Sequence, residues 1–200
     1  MNAGRDWENR YAGTPCLFGN TPSPLLVRHS RLLQPGMQAL AVGDGEGRNG
    51  LWLARRGLQV LALDLSPTAL HRARQQADEE GLAFETCCID ALAWSWPRQA
   101  FDVITLIFVH LPPPQRMQLH RLIQTALRPG GLLFIEAYHT DQIHRASAGP
   151  TDPALLYTED ALCRDFAALE TLHLEKTVTD VVVGNQARGC GVVVHFVARC

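Results

Sequence analysis

Three alternating glycines and one acid form the stretch of this sequence with the clearest chemical meaning. Gly43, Gly45 and Gly47 lie between a short apolar run and a helical pattern, and a second apolar run then ends on Asp64. Because glycine has no Cβ, the backbone of such a bend takes positive φ angles and lies close to a ligand. A carboxylate at the end of the second run accepts hydrogen bonds from ribose hydroxyls. The order of strand, glycine bend, helix, strand and acid predicts an adenosine site in a parallel α/β sheet.

The same glycines leave two classes of adenosine cofactor open. Gly45, Gly47 and Gly50 match the pattern G-x-G-x-x-G, which alone is a weak sign of a dinucleotide. The register that directly follows the apolar run is G-x-G-x-G, and no second stretch has the size of a dehydrogenase substrate domain. A nicotinamide-dependent oxidoreductase is therefore kept as the alternative.

Four further residues are placed to contact a substrate. His110 follows the fourth apolar run, at the sheet edge where ligands bind, and an imidazole there serves as a general base or as a loop cap. Arg48 begins the helix after the glycine bend, where it attracts an anionic acceptor or forms a surface salt bridge. Glu136 and Tyr138 leave the fifth run at the same edge. We predict a catalytic role for His110 and substrate-binding roles for the other three residues.

A histidine motif and the cysteines are interpreted without a metal. His139, Asp141 and His144 form H-x-D-x-x-H in a polar loop, which lacks the helical frame that places metal ligands, so no metal is predicted. The six cysteines contain no C-x-x-C pair, so we predict reduced thiols that pack as small hydrophobes. Arg116 and His120 lie on a helical pattern and are expected at its solvated face.

Length and composition restrict the classes of protein that fit this chain. Two hundred residues, 46% of them hydrophobic and 19% charged, predict one globular domain. The net charge of -2 gives no basic field, so nucleic acid is not an expected partner. The polar start does not resemble a signal peptide, and the longest apolar stretch, VITLIFVHL, is too short to span a bilayer. We expect a cytoplasmic monomer that acts on a small molecule away from membranes.

Strand-like runs alternate with helical patterns, which predicts βαβ units around a parallel sheet. We expect a helical cap over 1–36, a cofactor-binding core over 37–138, a lid loop over 139–157, and a helix with a C-terminal hairpin over 158–200. The predicted strands are QALAV, LQVLALD, AFETCCID, FDVITLIFV and LLFIEA, followed by LETLHLEKTVTDVVV and GVVVHFVARC around the turn GNQARGC. The predicted helices are SPLLVRHSRLLQPG, 49–57, 67–81, QRMQLHRLIQTAL and 158–168.

Prolines and glycines predict two interruptions in this pattern. The three prolines at 112–114 predict an extended turn before the QRMQLHRLIQTAL helix. The Pro-Gly-Gly stretch at 129–131 is expected to end that helix and to separate it from the fifth strand.

The order of motifs resembles one family over roughly residues 5–199. GDGEGRN, LDLSP, an aspartate at 90, FDVITLIFVHLP and LRPGG are together similar to class I S-adenosylmethionine-dependent methyltransferases. Within them, WENRY, GEGRN and HLPPPQR resemble the tellurite-resistance and thiopurine methyltransferase-like group. The resemblance implies a Rossmann-like, doubly wound, mostly parallel seven-stranded sheet with an antiparallel last strand and helices on both faces. It also implies S-adenosylmethionine as cofactor, S-adenosylhomocysteine as product, and a small-molecule acceptor such as a thiol or a chalcogen oxyanion.

The resemblance also implies roles for individual residues. The glycines pack against the methionine part of the cofactor, and the acid after the second strand binds the ribose. The remaining implied contacts are Leu65 beside the adenine, Asp90 and Ala91 at the adenine edge, the Ile107 backbone facing the amino group, and Trp7 and Tyr11 as aromatic residues that close over the site.

One position departs from the family pattern. Two residues before the first loop glycine the family usually has an acid, and here the residue is Ala41. We predict that Asp44, inside the bend, takes over the contact with the cofactor's ammonium group. The alternative is a non-catalytic protein that binds S-adenosylmethionine and works through a partner.

Overall fold

The computed structural model describes residues 3–145, 149–183 and 186–200. Seven strands form one sheet in the order β3-β2-β1-β4-β5-β7-β6, in which β7 is antiparallel to both neighbours and the other pairs are parallel. The predicted fold class, a doubly wound and mostly parallel sheet with an antiparallel last strand, is confirmed. The strands are β1 (Gln38–Val42), β2 (Gln59–Asp64), β3 (Phe84–Cys88), β4 (Phe101–Ile107), β5 (Leu127–Tyr138), β6 (Glu170–Val183) and β7 (Gln186–Arg199).

Helices cover both faces of this sheet, and the best-defined helix shows why its sequence folds locally. Ser66 Oγ accepts the N–H of Ala69 at 3.1 Å, Pro67 takes the first position, and Gly81 closes the helix at φ 65°. These are the caps predicted from the sequence. The α-helices are α1 (Ala3–Gly13), α2 (Pro24–Arg28), α3 (Gly50–Arg55), α4 (Pro67–Glu80), α5 (Pro113–Ala126) and α6 (Glu159–Asp165), and single 3₁₀ turns cover Ser30–Leu32, Thr140–His144 and Pro153–Leu155.

The core has two layers because side chains alternate along each strand. Ala39 and Ala41 of β1 pack on the face covered by α2, α3 and α4, whereas Leu40 and Val42 pack on the face covered by α5 and α6. Both faces of the central strands are therefore apolar, as expected for a parallel sheet inside an α/β fold. The carboxyl ends of β1, β2, β4 and β5 are left to form one edge.

The structure corrects both predicted interruptions. Helix α5 begins at Pro113, because prolines are tolerated in a first turn whose N–H groups have no helical partner. Strand β5 begins at Leu127 and includes the Pro-Gly-Gly stretch, so that stretch does not separate helix from strand. At the other end, β6 and β7 pair as far as Val183 and Gln186, so most of the predicted seven-residue turn is strand; residues 184 and 185 lie outside the described residues.

Two predictions about burial are also wrong. His120 is only 1% exposed, because its Nδ1 lies 2.7 Å from Asp165 Oδ2 of α6 and its ring packs on Phe166. The six cysteines are free thiols as predicted, but Cys88, Cys163, Cys190 and Cys200 are exposed rather than packed.

Among the described residues, no helix combines the length and the apolar character needed to cross a bilayer.

Candidate active site

The glycine loop, residues 43–47, leaves β1 at the carboxyl edge of the sheet. All three of its glycines have positive φ, and the N–H groups of Gly43 and Asp44 both donate to the Leu63 carbonyl of β2, at 2.7 and 3.2 Å. The loop is therefore held against the neighbouring strand by backbone hydrogen bonds. Its close packing explains the glycines, because a Cβ at Gly43 would lie 2.6 Å from Val109 Cγ2.

Asp64 ends β2 directly beside this loop. Its Oδ2 accepts the N–H of Gly45 at 2.8 Å, and its Oδ1 accepts the N–H of Ser66 at 2.9 Å. Burial raises the pKa of Asp64, while these two hydrogen bonds act in the opposite direction. The carboxylate is thus fixed between the loop and the start of α4, at the position where the sequence predicted a ribose-binding acid.

The N-terminal helix brings aromatic residues onto the loop. Tyr11 is 6% exposed, and a Cβ at Gly45 would lie 2.2 Å from its hydroxyl oxygen. Trp7 packs beside Tyr11 with ring centroids 6.1 Å apart, and both rings contact Phe18. Burial and the nearby Asp64 raise the pKa of Tyr11, so this hydroxyl is protonated at neutral pH. The structure therefore brings Tyr11 to the glycine loop, and Trp7 packs behind it on Tyr11 and Phe18.

Asp44 lies beneath the loop rather than at its open surface. Both carboxylate oxygens lie 3.1 Å from the N–H of Gly50, the first residue of α3. Burial raises the pKa of Asp44 to about 7, and the neighbouring Asp64 adds to this effect. The side chain joins the loop to the helix that follows it, and its predicted contact with an ammonium group stays a prediction.

Glu46 is a loop residue that the sequence analysis did not select. Its carboxylate accepts the N–H groups of Cys16 and Leu17 at 2.9 and 2.7 Å and pairs with Arg72 of α4 at 2.8 Å. Glu46 therefore ties the segment after α1 to the loop. The local sequence does not predict this role, because the two amide partners of Glu46 lie 29 and 30 residues earlier in the chain.

The predicted adenine contacts lie at the ends of β2 and β3. Leu65 and Ala91 are half-buried, and Asp90 is exposed. The Asp90 Oδ1 accepts the N–H of Leu92 at 2.8 Å, which holds the carboxylate at the start of the turn after β3. These three residues and Asp64 lie at or just after the carboxyl ends of the paired strands β2 and β3, and their contacts with the adenine stay a prediction.

A second group, the acceptor rim, consists of Arg48, Phe108, His110 and Tyr138. The Arg48 guanidinium lies 5.9 Å from the Phe108 ring centroid, and the rings of Phe108 and His110 lie 4.9 and 5.5 Å from that of Tyr138. Phe108 has φ 56°, a rare angle for a residue with a side chain, directly after β4 ends. The sequence missed Phe108 because it continued the apolar run as strand.

His110 is held by the segment predicted as a lid. Its Nδ1 lies 2.9 Å from the Leu155 carbonyl, so this nitrogen carries the proton, and its Nε2 lies 3.5 Å from the N–H of Tyr138. Burial lowers the pKa of His110 to about 4. The imidazole is neutral at pH 7 with an unprotonated Nε2.

Ile107 and Glu136 are predicted site residues with buried side chains. The Ile107 side chain is 7% exposed at the end of β4, and its predicted contact with the cofactor, which is through the backbone, stays a prediction. Glu136 is 1% exposed, accepts a hydrogen bond from the Ser23 hydroxyl, and faces His195 of β7. Its carboxylate points beneath α2, so the structure does not bring it together with Arg48 or His110.

The H-x-D-x-x-H motif is engaged within the protein. His139 Nδ1 accepts the N–H of Asp141 at 3.0 Å, and its Nε2 lies 2.9 Å from Glu159. The side chain of His144 lies outside the described part of the chain.

Parts of this chain are similar in sequence to known methyltransferases. Residues 39–131 match the model of a family described as a methyltransferase domain. The ubiquinone biosynthesis O-methyltransferase of Coxiella burnetii is 30% identical over 132 residues, which are 65% of this chain and 56% of that protein. The tRNA 5-carboxymethoxyuridine methyltransferase of Escherichia coli K12 is 31% identical over 121 residues, 58% of this chain and 46% of that protein. The chain spans about half the length of these curated relatives.

Solved structures show the same architecture. A protein from work on the conversion of a disulfide bond into a thioacetal group during echinomycin biosynthesis superposes with a TM-score of 0.81 and 22% identity, over 98% of this chain and 91% of that one. TehB from Haemophilus influenzae superposes with a TM-score of 0.76 and 18% identity, over 96% of this chain and 66% of that one. At these identities the likeness establishes the fold.

Proposed function

We propose that this chain is an S-adenosylmethionine-dependent methyltransferase with a small, anionic acceptor; the match of residues 39–131 to a methyltransferase-domain model and the likeness of the fold to solved structures support this. One observation carries the proposal: the Asp64 carboxylate is held 2.8 Å from the Gly45 N–H, at the carboxyl edge of the sheet and beside bare backbone. Ligands bind at this edge in open α/β sheets.

The residues at this edge fit an adenosine cofactor. The Asp64 carboxylate accepts backbone N–H groups from Gly45, Ser66 and Leu65, and since its two oxygens offer about four acceptor sites, acceptor capacity is left for a ribose hydroxyl. The half-buried Leu65 and Ala91 would flank the adenine, and Asp90 would accept from its exocyclic amine. Neither Ala41 nor Glu46 offers a free carboxylate for the ammonium, because Glu46 is paired with Arg72. The ammonium contact is thus left to Asp44, as predicted, and because its pKa of about 7 leaves it partly protonated at neutral pH, binding is expected to depend mainly on the nucleoside half.

The protein's own contribution would be to position the acceptor and to exclude water. When bound, the cofactor supplies a methyl group already activated on a sulfonium. Positioning of two reactants contributes roughly 7–11 kcal/mol to lowering a barrier. Phe108, Tyr138 and the aromatics of α1 would supply the apolar walls, and the predicted lid over 139–157 would close them.

The acceptor rim supports an anionic acceptor. Within the described ranges, no acidic side chain forms an ion pair with Arg48, although its charge favours the ionised form of Asp44. A guanidinium beside the ring of Phe108, which itself packs on Tyr138, suits a planar carboxylate or an oxyanion. A thiolate or chalcogen acceptor needs no base, whereas a hydroxyl acceptor would lose its proton to His110 Nε2, which would exchange its 3.5 Å contact with the Tyr138 N–H for the acceptor.

Titration calorimetry tests the cofactor first. We expect S-adenosylhomocysteine to bind with one-to-one stoichiometry and NADH to give no heat. Binding of NADH alone would support the oxidoreductase alternative and contradict the proposal.

An acceptor panel assayed by formation of S-adenosylhomocysteine then tests the substrate class. The panel should contain thiols, phenols with and without a carboxylate, selenite, tellurite and a tRNA transcript. Turnover of the anionic small molecules supports the proposal, whereas turnover of tRNA alone contradicts the small-molecule acceptor. Cofactor binding without turnover of any acceptor favours the non-catalytic alternative.

A further inference from the structure

A second cluster of chemically active side chains lies beneath α2, on the three strands at the far end of the sheet. The pairing registers place Glu136 of β5 opposite His195 of β7, and His195 opposite Glu175 of β6. His173 is two residues before Glu175 and so lies on the same face. We call His173, Glu175, His195 and Glu136 the imidazole–carboxylate cluster.

The donor atoms of this cluster are already close together. One ligand atom from each of His173, Glu175 and His195 lies within 4.8 Å of the other two. His173 Nε2 is 3.3 Å from Glu175 Oε2, and His195 Nε2 is 3.3 Å from Glu136 Oε1. Ligands of a tetrahedral zinc ion, bound at 2.0–2.1 Å, are separated by about 3.4 Å. The cluster is therefore spaced as a set of ligands.

These atoms lack the hydrogen bonds that buried polar groups normally make. In the described part of the chain, the Nε2 atoms of His173 and His195 and Oε1 of Glu136 are buried without a well-aligned hydrogen bond, and their nearest polar neighbours are the ion-pair contacts at 3.3 Å within the cluster. The side chain of His195 is 6% exposed and that of Glu136 is 1% exposed. Buried polar atoms whose contacts are poorly aligned are under-stabilised, and a cation bound between the imidazoles and the carboxylate would satisfy them.

We propose that His173, Glu175 and His195 bind a divalent first-row transition metal, with Zn²⁺ as the best-matched ion and Glu136 as the carboxylate beside His195. Two imidazoles with one or two carboxylates form a common protein donor set for Zn²⁺, and imidazole ligation disfavours Mg²⁺ and Ca²⁺. The Ser23 hydroxyl, which donates to Glu136, would orient this carboxylate as an outer partner.

The surroundings of the cluster allow an ion to enter. A surface pocket of about 410 Å³ is lined by Pro24, Arg28, Glu175 and His195. Arg28 pairs with Glu175, and its side chain is 57% exposed, so the guanidinium can turn into solvent when a cation arrives. His29 also packs on His173, with ring centroids 4.8 Å apart.

The site would join the two strands of the C-terminal hairpin, because its ligands come from β6 and β7, and Glu136 would connect it to β5 through His195. The predicted methyl-transfer residues lie elsewhere, at the glycine loop and the acceptor rim. The proposal therefore does not rest on the proposed function, and its test needs no enzymatic activity.

Metal binding to the full chain, purified without an affinity tag and treated with chelator, tests the site. We expect one equivalent of Zn²⁺ or Co²⁺ to remain after dialysis and to raise the melting temperature. We expect Co²⁺ to give the visible bands of nitrogen and oxygen ligation. Cobalt spectra showing only thiolate charge-transfer bands would place the metal on the exposed cysteines and overturn the proposal.

Matched variants separate the cluster from other histidines. His173→Gln, His195→Gln and Glu175→Gln should each weaken Co²⁺ binding more than tenfold, and His71→Gln, at an exposed position of α4, should not. Glu175 is 40% exposed, so its variant is expected to fold even where the buried histidine variants do not. Unchanged affinity in Glu175→Gln and in the folded histidine variants, or absence of binding to the unaltered chain, would overturn the proposal.

Discussion

The glycine loop and the acceptor rim lie at the same edge of the sheet but are built in different ways. Asp64 and the loop are joined by backbone N–H groups of neighbouring segments, and the loop donates to Leu63 of the adjacent strand. The rim is assembled from Arg48, Phe108, His110 and Tyr138, whose positions depend on ring packing and on the carbonyl of Leu155. The backbone of the glycine loop is fixed by the local sequence. The acceptor rim is made of side chains from distant segments, so substitutions there can change which acceptor is bound.

The sharpest test of the loop side is Asp64→Ala. Loss of the carboxylate removes two charged hydrogen bonds to the ribose, for about 3–4 kcal/mol, so affinity for S-adenosylhomocysteine should fall roughly 150- to 1,000-fold. Calorimetry measures this, with Asp78→Ala as control because Asp78 is an exposed partner of Arg74 on α4. Equal affinities in the two variants would show that the loop edge does not bind the nucleoside.

On the rim side, His110→Ala should separate acceptor classes. If His110 accepts the acceptor's proton, kcat should fall about 100-fold for a hydroxyl acceptor and little for a thiolate, because only the first needs a base. His71→Ala controls for the loss of a histidine. An equal loss for both acceptors would instead indicate that His110 only holds the segment at Leu155.

Beneath the loop, Asp44 should make stability depend on pH. Its pKa of about 7 lies above the ordinary value of 3.8, so the folded state holds a proton that the unfolded state has released between these limits. The contribution of Asp44 to the free energy of unfolding therefore falls as the pH rises from about 4 to 7. The fall is about 1.4 kcal/mol per pH unit, or roughly 2–3 kcal/mol between pH 5 and 7.

Urea unfolding of the unaltered chain and of Asp44→Asn, each at about pH 5 and pH 7, measures this pH dependence of the unfolding free energy. The Asp44→Asn variant should lack the contribution of residue 44, since an amide does not titrate. The buried His110 contributes in the opposite direction and is present in both proteins, so it cancels in the difference. Identical pH slopes would contradict a raised pKa for Asp44.

A smaller effect is expected from Gly45→Ala compared with Gly81→Ala. Both glycines have positive φ, 58° and 65°, so both variants carry a similar backbone strain of about 1–2 kcal/mol. Only at Gly45 does the new Cβ collide with Tyr11, whereas Gly81 faces open space. We expect Gly45→Ala to lose about 1 kcal/mol more unfolding free energy than Gly81→Ala and to weaken cofactor binding. Equal unfolding free energies would mean that Tyr11 does not rest on the loop.

The smallest effect is expected from Arg48→Gln. Removal of the guanidinium should raise KM for an anionic acceptor about tenfold while leaving the affinity for S-adenosylhomocysteine unchanged. A neutral analogue of the same acceptor is the control. A change in cofactor affinity would place Arg48 on the loop side of the comparison.

On both sides the sequence predicted the local features and missed contacts between distant segments. The strands, the caps of α4 and the position of Asp64 beside the glycines were predicted because each depends on residues close in the chain. Phe108, Glu46 and the burial of Glu136 were missed, since their partners lie on other segments and alternation along a strand does not show which face a polar residue enters. The proline start of α5 was misread because an extended turn and a first helical turn share the same fixed φ.

The hold of Glu46 on the amides of Cys16 and Leu17 has a thermodynamic consequence. A ligand that orders the glycine loop is expected to order the segment after α1 as well. By reciprocity, an interaction that holds this segment in place should raise the affinity of the loop for its ligand. Amide exchange at these two residues would report occupancy of a pocket that neither of them lines.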